Sequence, residues 1–287
     1  MKVASIFEQK RVLSFEVFPP KPTTPIDEIY STLDSLKYLR PDFISVTYGA
    51  GGSAVGASTS EICEKIQNQH GICSIAHLPC INETKDSVLE KLEDFKARGI
   101  ENILALRGDR NPNLAPKDDF KHATDLISFI REHGDFDICA ACYPEGHPES
   151  ASRADDVRHL KEKVDAGASH LITQLFFDND DFYTFREMTD LLNINVPIEA
   201  GIMPITNKKS IERMVSLCGA SIPRRLAKLL SRYADDPNSL KAAGLEYAIE
   251  QIIQLYSNGV QGIHIYTMNN ADVARYITDA VRDSVAL

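Results

Sequence analysis

The chain contains no tryptophan and has fewer basic than acidic residues, with 31 Lys and Arg against 41 Asp and Glu and a formal net charge of −10. Such a charge repels nucleic acid and anionic membranes, so neither is expected as a partner, and an anionic ligand would need a local basic patch. No window approaches the roughly 18 uninterrupted apolar residues of a membrane span. The N-terminal MKVASIFEQKRV also lacks the apolar segment of a secretion signal, which predicts a cytoplasmic protein.

Two glycine motifs that hold phosphate groups are also missing. The sequence has neither GxGxxG nor a Walker motif, so a Rossmann or P-loop nucleotide site is not supported. The glycine-rich YGAGGSAVGAS at 48–58 still allows the backbone to approach a ligand closely. A metal centre is not expected, because His77, Glu145 and His147 have no companion cluster with metal-ligand spacing.

The cysteines do not suggest a disulfide framework. They stand within apolar runs, at 63, 73, 80, 139, 142 and 218, and suit a reducing cytosol. Cys139-x-x-Cys142 has redox spacing, but a thioredoxin-type motif opens a helix, whereas this one falls in a predicted strand. We interpret both thiols as core residues.

What the sequence does contain is a repeated unit. Hydrophobic residues make up 43% and charged residues 25%, which supports a large core and argues against disorder. Five times, a polar amphipathic stretch ends in glycine and a β-rich run follows at once; these glycines are 71, 99, 134, 167 and 259. Glycine supplies the left-handed residue just past a helix, so each unit predicts a helix followed by a strand.

Eight apolar runs predict eight strands, centred near 15, 45, 75, 104, 139, 172, 199 and 264. They are apolar throughout, as strands buried on both faces are. Eight βα units in 287 residues favour an α/β fold of the (β/α)8 TIM-barrel type over an open doubly wound sheet. We expect one domain over 1–287, a first helix capped by Thr24 with Pro25 at its first position, and an extra helix at SIPRRLAKLLSRY before the last strand.

Chemistry in such a barrel gathers where the strands end. Polar residues at the predicted strand ends are Glu16, Thr47, Tyr48, His77, Arg107, Asp109, Tyr143, His147, Gln174 and Tyr266. Glu16 stands among Phe15, Val17 and Phe18, and the removal of its carboxyl group from water would raise its pKa toward that of a useful general acid. The alternative is an outward-facing Glu16 that pairs with a basic residue.

Other candidates have two interpretations each. Asp109 and Arg107 either form a local ion pair in a turn, or Arg107 anchors an anion while Asp109 accepts a hydrogen bond from a ligand. Gln174 either contacts a ligand or satisfies backbone groups at its strand end. Helical spacing alone makes Lys163 and Asp156 solvated surface residues of one charged helix.

Eight motifs in one order resemble a single family. They are SFEVFPP at 14–20, SVTYGA at 45–50, AHL at 76–78, ALRGD at 105–109, YPEGHPE at 143–149, KVDAGA at 163–168, ITQLFFD at 172–178 and the closing IHIYTMN. Each motif is weak alone, but in register they resemble the bacterial flavin-dependent methylenetetrahydrofolate reductases.

The resemblance implies a barrel that binds FAD non-covalently and reduces 5,10-methylenetetrahydrofolate to 5-methyltetrahydrofolate with NADH or NADPH. It implies a ping-pong cycle in which the nicotinamide reduces the flavin and leaves before folate binds the same flavin face. Glu16 would protonate N10 as the folate ring opens. The implied setting is one-carbon metabolism and methionine biosynthesis, with these small molecules as partners of a homo-oligomer.

The resemblance also assigns roles by matching position. Asp109 would tune the flavin and hydrogen-bond the folate, Gln174 would contact folate and nicotinamide in turn, and Thr47 would contact the nicotinamide. Positions that match FAD contacts are Tyr48, Ala50, His77, Arg107, Gly108, Asp109, Ala123, Tyr143, His147, Asp156 and Lys163. Lys163 and Arg107 would supply positive charge for the pyrophosphate, which replaces the surface interpretation of Lys163.

Several positions depart from the family pattern. His122 stands where relatives carry Tyr, Met214 where an aromatic stacks on substrates, and Asn270 where Arg binds the folate tail. We expect these departures, and the unusual loop GAGGSAVGAS, to change affinities more than the type of reaction. Two rival hypotheses are a flavin-free barrel lyase or aldolase with Glu16 and Asp109 as acid and base, and a non-catalytic accessory subunit.

Overall fold

The eight predicted strands form a closed parallel barrel. The computed structural model describes residues 1–21, 23–48, 59–110 and 116–285, without the side chains of 283–285, and in it each strand pairs in parallel with its neighbours, β8 with β1. The strands are β1 (Val12–Val17), β2 (Phe43–Val46), β3 (Cys73–Pro79), β4 (Asn102–Leu106), β5 (Asp137–Cys142), β6 (His170–Thr173), β7 (Ile198–Ile202) and β8 (Gly262–Tyr266). Every predicted centre falls inside one of them, so the (β/α)8 TIM-barrel prediction is confirmed.

Helices alternate with the strands. They are α1 (Ala4–Phe7), α2 (Ile26–Leu36), α3 (Thr59–His70), α4 (Lys85–Ala97), α5 (Ala123–His133), α6 (Arg153–Ala166), α7 (Asn179–Leu191), α8 (Lys208–Cys218), α9 (Arg224–Arg232), α10 (Pro237–Ser257) and α11 (Ala271–Val285), with a 3₁₀ turn at Lys37–Leu39. α9 is the predicted extra helix, and it lies with α8 and α10 between β7 and β8. Within the described residues, no helix has the length and apolar character to cross a membrane.

Two predicted helix ends are wrong. α2 begins at Ile26, so Pro25 rather than Thr24 occupies the N-cap position, and no side chain of the described residues caps this end. Gly134 follows α5 with a φ of −176°, which is extended backbone and not the predicted left-handed conformation. A Cβ at Gly134 would lie 2.5 Å from the Phe136 ring, so close packing explains this glycine. The other four glycines of the repeat have the predicted positive φ.

Side chains of each strand alternate between the two sides of the barrel wall. In β1, Phe15 and Val17 are fully buried in the hydrophobic core that the strands share with the helices. Ser14 and Glu16 face the barrel interior, where Ser14 meets side chains of β7 and β8. The alternation therefore gives an apolar layer outside the wall and a partly polar interior.

The amino-terminal end of the barrel is closed by α1. Val3 and Ile6 belong to a hydrophobic cluster with the interior side chains of several strands. The backbone N–H of Val3 donates to Asn102 Oδ1 at 2.8 Å, and that of Ala4 donates to Asp137 Oδ2 at 2.8 Å. These contacts leave the carboxyl end of the barrel as its open end.

All six cysteines are free thiols. Cys139 and Cys142 are buried in β5, and burial raises the pKa of both thiols. A high thiol pKa disfavours the reactive thiolate, so both residues act as small hydrophobic core residues, as the sequence indicated.

Candidate active site

A cavity of about 850 Å³ opens at the carboxyl ends of the strands. Most residues predicted to act there line it, namely Glu16, Thr47, His77, Arg107, Gly108, Asp109, Ala123, Tyr143, His147, Asp156, Lys163 and Gln174. Tyr48 instead donates a hydrogen bond to Glu83 Oε1, 3.5 Å away. Ala50 lies outside the described residues, as do all positions from 49 to 58. The fold thus brings residues from distant parts of the chain to one cavity.

Glu16 lies inside the barrel between two imidazole rings. Its Oε2 is 3.6 Å from His77 Nε2 and 3.8 Å from His264 Nε2, and its side chain is 21% exposed. The prediction that Phe15 and Val17 remove this carboxyl from water is wrong, because both side chains face the helices. The alternative of an outward-facing Glu16 is wrong as well.

His77 presents a neutral imidazole to the cavity. Burial lowers its pKa to about 4, an effect that Glu16 opposes and His264 reinforces. Its Nε2 has no hydrogen-bond partner among the described residues. Because an unsatisfied buried polar atom destabilises a protein by about 1–3 kcal/mol, this nitrogen fits a hydrogen-bonding group of a ligand.

A polar layer crosses the barrel below Glu16. Ser14 Oγ lies 2.6 Å from both Glu199 Oε1 and His264 Nδ1, and Ser45 Oγ lies 3.4 Å from His264 Nε2. Glu199 is fully buried, and burial raises its pKa to about 7. Sequence reasoning missed these four residues. Ser14 of β1, Ser45 of β2 and His264 of β8 each lie two positions before a residue that was predicted at the end of the same strand. Side chains two positions apart in a strand face the same side, and this spacing is the signal that places the three residues on the inner face.

Lys163 is not the solvated residue that helical spacing indicated. Its ammonium donates to the Ala141 carbonyl at 2.9 Å and lies 6.0 Å from the centre of the Tyr143 ring. Removal from water lowers the pKa of Lys163, an effect that Asp156 opposes. The ion pairs among the described residues do not include Lys163. This cation at the cavity is therefore available to an anionic ligand.

A second cation at the cavity is already paired. Arg107 makes two hydrogen bonds to Glu149, from Nη1 to Oε2 at 2.6 Å and from Nη2 to Oε1 at 2.9 Å, which raise the pKa of Arg107 and lower that of Glu149. The local pair of Arg107 with Asp109 does not form, and Asp109 is exposed at the cavity. Gly108 has a φ of +89°, and a Cβ there would lie 2.9 Å from Pro79 Cβ, so this turn requires glycine.

The metal-like spacing of Glu145 and His147 has another explanation. Both Glu145 carboxylate oxygens accept the Ser221 backbone N–H, at 3.0 and 2.9 Å, which ties this loop to the segment before α9. The His147 ring packs edge-on against Tyr143, 4.8 Å between centres, and burial lowers its pKa. In the part of the chain that the structure describes, no three His, Cys, Asp or Glu side chains converge as a metal site requires.

The structure locates Gln174 and the three residues that depart from the family pattern, His122, Met214 and Asn270. Gln174 Oε1 accepts the Leu175 backbone N–H at 2.8 Å, so it satisfies a backbone group while lining the cavity. Met214 lines the cavity from α8. His122 also lines it, and its backbone N–H donates to Asp125 Oδ2 at the start of α5. Asn270 immediately precedes α11, and its Oδ1 accepts the Val273 backbone N–H at 3.1 Å.

Two solved structures have a similar fold. An uncharacterized protein from Clostridium thermocellum, which binds two copies of 5-methyl-5,6,7,8-tetrahydrofolic acid, superimposes with a TM-score of 0.65 and 15% identity over 100% of both chains. Tryptophan synthase from M. tuberculosis gives a TM-score of 0.58 at 12% identity, with 99% of this chain and 98% of that chain covered. At such low identity these similarities establish the fold alone.

Sequence relatives identify the family. The profile of the family described as methylenetetrahydrofolate reductase matches residues 2–282. The 5,10-methylenetetrahydrofolate reductase of Pectobacterium carotovorum subsp. carotovorum is 37% identical over 276 residues, which cover 96% of this chain and 92% of that protein. The enzyme of the same name from Escherichia coli K12 is 36% identical, covering 91% and 88%. Methylenetetrahydrofolate reductase (NADH) 1 of Arabidopsis thaliana is 37% identical over 93% of this chain but 48% of its own length. This chain therefore belongs to the methylenetetrahydrofolate reductase family.

Proposed function

We propose that the chain reduces 5,10-methylenetetrahydrofolate to 5-methyltetrahydrofolate, with FAD as cofactor and NADH or NADPH as reductant in a ping-pong cycle. Family membership supports the reaction. The observation that carries the mechanism is the position of Glu16, whose carboxyl group faces the cavity beside a neutral imidazole.

The residues around the cavity fit FAD. The pyrophosphate of a dinucleotide needs cations, which an acidic protein must supply locally. The Lys163 ammonium forms no ion pair with the described residues. The Arg107 guanidinium makes two hydrogen bonds to Glu149, and it could make the same two-point contact with a phosphate group in place of Glu149. The free Nε2 of His77 offers a further polar contact. A bound FAD would supply the hydride transfer, which no protein side chain performs.

Glu16 would act as the general acid of the folate step. The neutral His77 ring lies 3.6 Å from the Glu16 carboxyl group and forms no ion pair with it, so this carboxyl group is available to a substrate in the cavity. Glu16 would release a proton to N10 of the folate as its C–N bond breaks. The nicotinamide step needs no such proton, so Glu16 serves one half of the cycle.

Other side chains would position the substrates. Asp109 is exposed at the cavity and would accept a hydrogen bond from the folate ring while adjusting the flavin potential. Thr47 and Gln174 line the same space and would contact the nicotinamide and, for Gln174, the folate in turn. We assign the remaining FAD contacts to Tyr48, Ala50, Gly108, Ala123, Tyr143, His147 and Asp156. A homo-oligomer, one domain over 1–287 and a cytoplasmic location stay predictions.

Absorbance spectroscopy of the purified protein, before and after incubation with FAD, tests the cofactor. Anaerobic addition of NADH or NADPH, in parallel samples, should bleach the flavin, and 5,10-methylenetetrahydrofolate should then restore its colour. A protein that stays colourless with added FAD would overturn the proposal and favour the flavin-free lyase or aldolase. A flavin that is reduced by neither nicotinamide would favour the accessory subunit.

A further inference from the structure

Glu199 is a buried acid that the proposed mechanism does not use. It lies in β7, facing the barrel interior, and its side chain has no exposed surface. Its Oε1 lies 2.6 Å from Ser14 Oγ, and its Oε2 has no hydrogen-bond partner among the described residues. A buried carboxylate anion without a cation is strongly disfavoured, so this geometry suits a carboxyl group that keeps its proton.

A series of polar atoms leads from Glu199 to Glu16, with two hydrogen-bonded links and one longer gap of 3.8 Å at Glu16. Ser14 Oγ bridges Glu199 Oε1 and His264 Nδ1, at 2.6 Å to each. The other ring nitrogen, Nε2, lies 3.8 Å from Glu16 Oε2. Both a hydroxyl and an imidazole can accept a proton on one side while releasing one on the other. The series therefore has the chemistry of a proton path between the buried layer and the cavity.

Most of the titratable groups around Glu199 become anions when they ionise. Asp42 faces it from the segment before β2, Cys139 from β5 and Tyr256 from α10, and each is coupled to it electrostatically. His264 of β8 is the group that favours the anion. A well-packed apolar side chain would fill this place without burying an acid, so structural support alone does not explain a glutamate here.

We propose that Glu199 stores a proton and supplies it to Glu16 through Ser14 and His264 after Glu16 has protonated the substrate. This inference rests on the proposed function. In the step, Nε2–H of His264 passes its proton to the Glu16 carboxylate, Nδ1 takes the Ser14 hydroxyl proton, and Ser14 takes the Glu199 proton. Glu16 ends neutral and Glu199 ends as the anion. The path resets when each transfer runs in reverse: Glu16 returns a proton to Nε2 of His264, Nδ1 returns one to Ser14, and Ser14 returns one to Glu199, while Glu16 takes up a proton from the bulk solvent that reaches the emptied cavity.

The acidity of Glu199 suits this role at neutral pH. Burial raises its pKa to about 7, against the lowering effects of His264 and the Ser14 hydrogen bond. A group with this pKa is substantially protonated near pH 7 and still releases its proton readily. A glutamate with the ordinary pKa of 4.5 would be deprotonated at that pH and would have no proton to donate.

Glu199→Gln tests the proposal, because glutamine keeps the shape and the oxygen that Ser14 contacts but has no proton to release. Rapid-mixing kinetics should show unchanged flavin reduction by the nicotinamide. Flavin reoxidation by 5,10-methylenetetrahydrofolate over repeated turnovers should be slower by on the order of tenfold, less than the loss of the general acid itself would cause. In the wild type, the rate of this reoxidation should change with pH near 7 because Glu199 titrates there. In Glu199→Gln, this change should be absent. Thr278→Val, at a buried α11 hydroxyl that has no hydrogen-bond partner among the described residues, is the matched control.

Two further results decide the matter if Glu199→Gln folds poorly or slows both half-reactions. Ser14→Ala leaves Glu199 in place and breaks the path, so it should lose the same change of rate near pH 7; a retained change overturns the proposal. Infrared difference spectra should contain a protonated carboxyl band that titrates near pH 7 in the wild type and in Glu16→Gln. Absence of this band overturns the proton store whatever the activity. If the carboxyl band is present but the wild-type protein does not reduce folate, the result contradicts the proposed function and not the proton store.

Discussion

Glu16 Oε2 and His77 Nε2 lie 3.6 Å apart, a distance typical of an ion pair, yet the imidazole is neutral at physiological pH. Burial lowers the pKa of His77 to about 4, so protonating the ring would require a strongly acidic solution. The contact therefore places an uncharged ring beside the carboxyl group. A carboxyl in this setting can take part in proton transfer without first breaking a salt bridge.

Glu16→Gln should separate the two half-reactions. We expect nicotinamide oxidation to continue at the wild-type rate and folate reduction to fall by about 10²–10⁴-fold, the usual contribution of a general acid. Stopped-flow absorbance of the flavin measures both. Glu93→Gln, on the outer helix α4, is the control. Folate reduction at the wild-type rate by a flavin-bound Glu16→Gln protein would remove Glu16 from the mechanism.

Lys163→Met should weaken FAD binding while leaving the cofactor-free protein at least as stable. A charge-assisted hydrogen bond contributes about 1.5–3 kcal/mol, which corresponds to roughly 10–100-fold in affinity. The ammonium has no anionic partner among the described residues, so its removal breaks no ion pair there. Fluorescence titration with FAD and thermal unfolding of the apoprotein measure the two effects.

Lys161→Met provides a matched control for Lys163, because it lies on the same helix and pairs with Asp165 on the surface. It should change FAD affinity by less than twofold, as exposed pairs contribute little. Equal losses of affinity in both variants would mean that overall charge, and not the position of the Lys163 ammonium, controls binding.

The barrel could be predicted because its signals are local. Apolar runs and helix-ending glycines repeat about every thirty residues, the length of one βα unit, and each strand lies within one of these runs. Gly134 shows the limit of such signals. Its place in the repeat is regular, but its backbone is extended, because contact with the Phe136 ring and not the helix end determines it.

The site was less accessible to prediction because its contacts join distant segments. Lys163 is 22 positions from the carbonyl of Ala141 that it contacts, and Arg107 is 42 positions from Glu149. Helical spacing gives the polar face of α6 but not which end of that face meets the cavity. The family resemblance placed Lys163 at the ligand, whereas nothing in the sequence reasoning identified the buried Glu199.

Glu149→Gln should strengthen FAD binding, since the Arg107 guanidinium would no longer need to leave its present anionic partner. The Glu149 side chain is 48% exposed, and such a pair contributes at most about 1 kcal/mol, so the gain should be no more than about fivefold. The gain should shrink as salt screens the pair. Titration with FAD at two ionic strengths measures it.

Glu250→Gln is the control for Glu149→Gln, because Glu250 also makes a two-point pair with an arginine, Arg225, on the outer helices. It should leave FAD affinity unchanged. Weaker FAD binding by Glu149→Gln would contradict the prediction and would mean that the carboxylate itself helps to hold the cofactor.

The stability of the protein should depend on pH through Glu199, and Glu199→Gln should remove that dependence. The folded-state pKa of about 7 lies above the ordinary 4.5, so folding favours the protonated carboxyl. This stabilisation is complete below about pH 4.5 and is lost as the pH rises through about 7. The shift corresponds to on the order of 3 kcal/mol, so the variant should gain about that much relative to the wild type between pH 4.5 and 8. Urea unfolding at several pH values measures this difference, in which the contributions of His77 and His170 cancel because both proteins share them. A difference that stays constant across the window would mean that Glu199 does not keep its proton at neutral pH.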